Sequence, residues 1–198
     1  TKEAARLELP GNIELRIRQA LLLDRRRLRQ DLLGALTSSQ TFGDRDKWCV
    51  LPLHSSLSPS EQQQVFDTMP PGVRKVVLIT SILTDAGAWG QLDSAGYKVT
   101  NAFGNVLEEK LVAEKYLRKS GLDYTIVRPG GLKADPPTGA LYVAPENSLN
   151  AGEVSRDLVA DVAVAAVFDA KAKNKVVEIV ESDKDGNAKN GVFNGLKM

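Results

Sequence analysis

From Ile13 to Leu36 the apolar residues Ile13, Ile17, Leu21, Leu28, Leu32 and Leu36 recur at near-helical spacing. Arg16, Arg18, Arg25, Arg26, Arg27 and Arg29 fall between them. The pattern predicts one long amphipathic helix with a basic outer face. TSSQTFGDRDK (37–47) has loop composition, and the apolar run WCVLPL (48–53) is of strand length. SPSE (58–61) reads as a helix start: Ser58 is the N-cap, Pro59 the first helical residue, and Glu61 completes a capping box. That helix is expected to stop at PPG (70–72). KVVLIT (75–80) follows with no polar interruption, which predicts a parallel strand buried on both faces.

A Gly-rich loop (86–96) leads into a predicted helix from Val99 to Lys119, with Gly121 placed to cap its C-terminus. YTIVR (124–128) reads as a strand ended by Pro129-Gly130-Gly131, DPPTG (135–139) as a turn and ALYVA (140–144) as a short strand. Ser155 is placed to cap a helix running to Asp169, and KVVEIVE (175–181) is the last strand. SDKDGNAKNG (182–191) reads as a mobile polar segment. Strands alternating with helices predict a three-layer α/β domain with a mostly parallel sheet and right-handed crossovers. The division expected is an N-terminal helix and loop at 1–47, the α/β domain at 48–181 and a polar tail at 182–198.

Composition narrows the function. The 198 residues suffice for one sizeable core, and a net charge of +1 argues against a chain that binds nucleic acid as a whole. One cysteine, Cys49, excludes an internal disulfide framework. With His54 the single histidine, too few soft ligands exist for zinc, so no metal is expected. No apolar run approaches the ~20 residues that span a bilayer, so membrane contact is expected to be peripheral. The sequence starts at Thr1 rather than Met, which fits a cleaved upstream targeting segment.

Three blocks, KVVLITSILTDAGAWGQ (75–91), KLVAEKYLRKSGLDYTIVRPGGLKADPPTG (110–139) and VSRDLVADVAVAAV (154–167), carry a resemblance over about 73–180. This part resembles the second half of the atypical short-chain dehydrogenase/reductases, in particular their plastid branch. Over about 43–80, on WCVLPLHSSLSPSEQQQVFDTMPPGVRKVVLIT (48–80), the chain is similar instead to the second RecA-like domain of DEAH-box RNA helicases. The strand at 75–80 suits both families, since each places a strand–helix–strand crossover here. The resemblance implies a truncated Rossmann-like domain, to which the periodicity of 13–36 adds an N-terminal amphipathic helix.

Neither chemistry comes across whole. A helicase needs G-x-x-x-x-G-K-[ST], and the dehydrogenases use a Gly-rich turn after their first strand; the sequence contains neither pattern. GAWG (87–90) follows a middle strand and reads as a loop requirement. The reductases resembled pair a Tyr with a Lys one helical turn on. Lys110 matches the Lys, but Val106 stands at the Tyr position; Tyr97 is out of register and Tyr116 lies beyond the Lys. Thr80 or Ser81 matches the family's Ser, with strand-end capping as the plainer reading. Ser81 and Lys110 are therefore vestigial catalytic candidates. The resemblance gives Thr80, Ser81, Lys110, Arg128, Pro129, Gly130 and Gly131 as cofactor-binding candidates; the glycines read equally as a tight turn. Arg156-Asp157 reads as helix-terminus electrostatics and an ion pair, and His54 as a strand-end hydrogen bond.

The expectation is a non-catalytic interaction or structural subunit of a plastid complex. It would lie on the thylakoid periphery or in the stroma, with residues 13–36 docking onto a protein partner. No cofactor is required by that reading. The rivals are an NAD(P)H-binding oxidoreductase or redox regulator, and an RNA-binding remnant.

Overall fold

Alternation within a central strand sets the layers. In β2 (Tyr124–Pro129), Ile126 packs into one cluster with Leu78, Ala113 and Leu117, while its neighbour Val127 packs into another with Val159, Val162 and Ala166. Each strand thus feeds cores on both sheet faces, as successive side chains point opposite ways. The computed structural model describes residues 26–34, 63–64, 66–67, 69, 72–102, 104–183, 186–188 and 191–194.

Helical residues 26–34 form α1, and helical residues 63–64 and 66–67 belong to α2. Then come β1 (Val76–Ile79), a 3-10 turn (Ala86–Trp89), α3 (Ala95–Asn101), α4 (Val106–Lys119) and β2. β3 (Gly131–Lys133), β4 (Ala140–Pro145), β5 (Glu153–Ser155), α5 (Arg156–Phe168), a second 3-10 turn (Ala170–Ala172) and β6 (Lys175–Ser182) complete the order. The main sheet runs β1-β2-β6-β4, its first three strands parallel and β4 antiparallel to β6. α4 covers one face and α5 the other, giving the three-layer, mostly parallel α/β architecture expected. β3 and β5 form a separate parallel pair.

Several sequence expectations need correction. The helix expected from Val99 to Lys119 is two helices. α3 starts at Ala95 because the Ser94 hydroxyl accepts from the Tyr97 N–H, and the chain breaks around Gly104 at φ 119. The Asn101 side chain then accepts from the Leu107 N–H, closing the start of α4. β1 is less buried than predicted: only Leu78 among its four residues is buried. β1 ends the sheet among the described residues, and an end strand has one uncovered edge. The tail is also more tightly held than its polarity suggests. Asn187 accepts from the Val143 N–H at 2.8 Å and donates to the Val143 carbonyl, sealing the outer edge of β4, and Phe193 is buried against the α5 side.

Other readings stand. Gly121 takes φ 77 just past α4, where a left-handed residue closes a helix. The Ser155 hydroxyl accepts from the Leu158 N–H at 3.2 Å at the head of α5. α1 lies against α5 in this chain: Leu28 is buried, and Arg29 pairs with Asp157 at 2.7 Å and with Asp161. Those carboxylates raise the Arg29 guanidinium above its ordinary range. Asp157 thus takes the ion-pair role expected at the head of α5. WCVLPL, His54, the capping box at 58–61 and most of the predicted 13–36 helix lie outside the described residues.

One carboxylate ties the β3–β4 and β5 segments together. Glu181 accepts from Lys133 at 2.9 Å and from the N–H groups of Thr138, Gly139 and Ser155. Burial works against its charge, yet Lys133 and these N–H groups bring its pKa down to about 2.

Candidate functional site

Open α/β sheets present ligand sites beyond the C-terminal ends of their parallel strands. Here that end is formed by the segments leaving β1 and β2. They stay paired past the strands proper: the Thr80 N–H donates to Val127, and the Ile82 N–H donates to Pro129, both at 2.9 Å. The chain then turns sharply. Thr84 bonds the Ser81 carbonyl at 2.7 Å, and Leu83, fully in the core, takes φ 65. A buried leucine in the left-handed region is strained and is held there by its packing.

Behind this turn lies a buried ionic cluster. Arg128 and Glu114 have no solvent exposure and face each other as a two-pronged pair: Nε donates to one carboxylate oxygen at 3.0 Å and Nη2 to the other at 2.7 Å. Nη2 also donates to Glu146, and Nη1 donates to Asn147 and Glu178. All five guanidinium N–H groups therefore have partners. Burial disfavours the Arg128 charge, but Glu114, Glu146 and Glu178 outweigh it and raise its pKa. Glu178, equally buried, accepts from three successive N–H groups, those of Asn147, Ser148 and Leu149. Arg118 pairs with Glu146 at the rim. The cluster clamps the segment 146–149 across β2 and β6. Asn147 reaches φ 60 there, a conformation Asn tolerates better than most residues.

Thr80 donates its hydroxyl to Glu114 at 2.7 Å, so the strand end is bonded inward. Ser81 and Lys110 differ. Both are half-buried, and neither side chain has a hydrogen-bond or ion-pair partner among the described residues. Lys110 lies on the inward stripe of α4 formed with Leu107, Glu114 and Leu117. Burial pushes its ammonium below the ordinary lysine range, with Glu114 one turn away opposing the shift. At the aligned Tyr position, Val106 begins α4. Tyr97 donates its hydroxyl to Glu108, which also accepts from Asn101 at 3.0 Å. The Glu108 carboxylate raises the Tyr97 pKa and keeps the phenol protonated.

The seven candidate positions thus divide. Ser81, Lys110 and Gly131 are reachable, whereas Thr80, Arg128, Pro129 and Gly130 are buried. Gly130 is needed for its own chain: a Cβ there would stand 2.4 Å from the Gly152 carbonyl oxygen. An NAD(P) ribose would find Ser81 and Lys110 to hold it, but the sequence supplies no Gly-rich turn for the pyrophosphate. Among the described residues, no cluster of acidic, His or Cys side chains could hold a metal. Glu114 and Glu178 were missed by the sequence reading, although each interrupts an apolar stripe. That is the signal of a buried charge that must have a partner.

Comparison with known proteins fits this geometry. A family model described as NAD(P)H-binding matches residues 3–170. The chain belongs to the NAD(P)H-binding family. The match begins well before the stretch resembling the dehydrogenase/reductases. An uncharacterized chloroplastic protein of Arabidopsis thaliana is 55% identical over 109 residues, covering 55% of this chain and 39% of that protein. Another chloroplastic Arabidopsis protein, High Chlorophyll Fluorescence Phenotype 173, is 43% identical over 75 residues, or 37% of this chain and 12% of that protein. This chain therefore spans well under half of these relatives' length. The helicase resemblance is short: a probable ATP-dependent RNA helicase of Homo sapiens is 47% identical over 53 residues, 26% of this chain and 5% of the helicase. Among solved structures, the anaerobillin reductase ChuY of Escherichia coli O157:H7 has TM-score 0.53 at 31% identity, covering 63% of this chain and 59% of ChuY. The architecture is Rossmann-like.

Proposed function

We propose that this chain is a non-catalytic interaction subunit of a plastid protein complex, built on the NAD(P)H-binding fold. The observation that carries the reading is the state of the C-terminal sheet end. Arg128 is enclosed by acceptors, Val106 has no proton to transfer, and the Tyr97 hydroxyl is bonded to Glu108. A group that shuttles a proton must reach the reacting atoms. Two chloroplastic relatives support the plastid assignment. Purification of the native protein under mild conditions, followed by mass spectrometry, tests the reading. Recovery with stoichiometric partner chains is expected, and recovery as a lone monomer would contradict it.

A second reading, an NAD(P)H-binding oxidoreductase or redox regulator, is favoured by one feature. Ser81 and Lys110 stand side-chain polar and unpartnered among the described residues at the ligand end of the sheet. On that reading Lys110→Ala weakens NADPH binding without unfolding the chain.

A further inference from the structure

The opposite end of the sheet has a different character. β1, β2 and β6 are parallel, so their first residues share one end, where α4 and α5 finish. The parallel pairing brings three separate basic stretches of sequence together there. Arg74 and Lys75 precede β1, Lys119 ends α4, and Lys171, Lys173 and Lys175 lead into β6. Their closeness shows in the hydrogen bonds joining these starts: the Val76 N–H donates to Asp123, and the Asn174 N–H donates to Tyr124 at 2.7 Å.

Among the described residues the acids at this end are Asp67, between Phe66 and Met69 ahead of β1, and Asp123 and Asp169, the last two of which are engaged. Asp123 pairs with Lys173 at 2.8 Å, and the Asp169 side chain accepts from the Lys171 N–H. The basic groups still outnumber them. Over residues 72–183 the balance is reversed, with 13 basic and 15 acidic side chains. The α/β body is therefore electrically polarised, positive at the strand N-termini and negative elsewhere, a distribution that orients a protein toward an anionic surface.

We infer that this end of the sheet is a docking face for an anionic lipid bilayer. The chemistry of the face favours lipid over other polyanions. Five of its six cations are lysines, compact point charges suited to a diffuse layer of headgroups, whereas fork-like recognition of individual phosphates draws on Arg. Among the described residues none of the large exposed apolar side chains at this end is aromatic, so no exposed ring offers a platform for stacking bases. Leu92, Val99 and Leu132, which could anchor a protein partner, follow the C-terminal ends of β1 and β2 instead. The last turn of α5 contributes one exposed aliphatic side chain, Val167, to this end. The inference is independent of whether NADPH binds at the other end.

The test is co-sedimentation of the full chain with phosphatidylcholine vesicles, with and without phosphatidylglycerol. Sedimentation only with the anionic vesicles, weakening as salt rises, is expected. Arg74→Gln with Lys119→Gln removes two exposed charges and should lower the partition coefficient about fivefold per charge. Lys98→Gln, at the other end of the fold, should leave it unchanged. Circular dichroism of each variant confirms folding. Equal binding to neutral vesicles overturns the inference, as does a double variant that binds like the parent. The latter result would place the attraction in the arginine-rich stretch 16–29. Tighter binding of a single-stranded oligonucleotide than of the vesicles at the same salt would also overturn it.

Discussion

Replacing Arg128 with Met separates a structural guanidinium from a ligand-binding one. The substitution keeps an unbranched side chain of similar reach and removes every hydrogen bond of the guanidinium. Glu178 would keep its three N–H donors, but Glu114 would lose both prongs of its pair and retain the Thr80 hydroxyl and the more distant Arg118 guanidinium, 3.9 Å away. Stranding one partner of a buried pair costs about 3–5 kcal/mol, because the remaining charge is neither solvated nor matched. Both Arg128 and Glu114 have no exposure, so the middle of that range, about 4 kcal/mol, is expected. Urea unfolding followed by circular dichroism at neutral pH measures it as a shift in midpoint at constant slope. Adding Glu114→Gln should recover about 1–3 kcal/mol, since the stranded charge is then gone. A cost of Arg128→Met below about 1 kcal/mol, or no coupling in the cycle, would refute the clamp and return Arg128 to the ligand-binding candidates.

Other substitutions probe the neighbouring supports. The depressed Glu181 pKa stabilises the fold by about 3 kcal/mol once the pH is above 4.5, and this is lost as pH falls through about 2; Glu181→Gln should flatten the acid limb of stability against pH. Gly130→Ala should destabilise by about 2 kcal/mol or more in the same unfolding assay, because its Cβ meets backbone that cannot swing away. Ser155→Ala should cost about 1 kcal/mol by removing the cap of α5.

The sheet was legible in the sequence because apolar runs such as KVVLIT, YTIVR and KVVEIVE have no plausible home outside a parallel core. Caps were legible too: Ser155 and Gly121 act through local geometry, which sequence encodes directly. The break between α3 and α4 was not. The apolar spacing continues across it, and the decisive contact is a side-chain bond from Asn101 to Leu107, six residues apart. The site was legible only in outline. Its position at the strand ends followed from topology, but the division of its residues depends on contacts across 14 to 50 residues, as Arg128 makes with Glu114 and Glu178. Arg128 beside Pro129 and Gly130 reads in sequence as a ligand loop. It faces inward because Glu114 and Glu178, on different elements, both point at it from the α4 side of the sheet. The tail was misread for a related reason: Asn187 is polar, yet its amide substitutes for a neighbouring strand along β4.

An equilibrium titration of the full chain with NADPH, followed by the fluorescence of Trp48 and Trp89, tests the central claim most directly. No tight, saturable change is expected, because the sequence supplies no Gly-rich turn for the pyrophosphate and, of the seven candidate positions, only Ser81 and Lys110 offer polar side chains without a partner among the described residues. Tight saturable binding that Lys110→Ala abolishes, in a variant that remains folded, would contradict it.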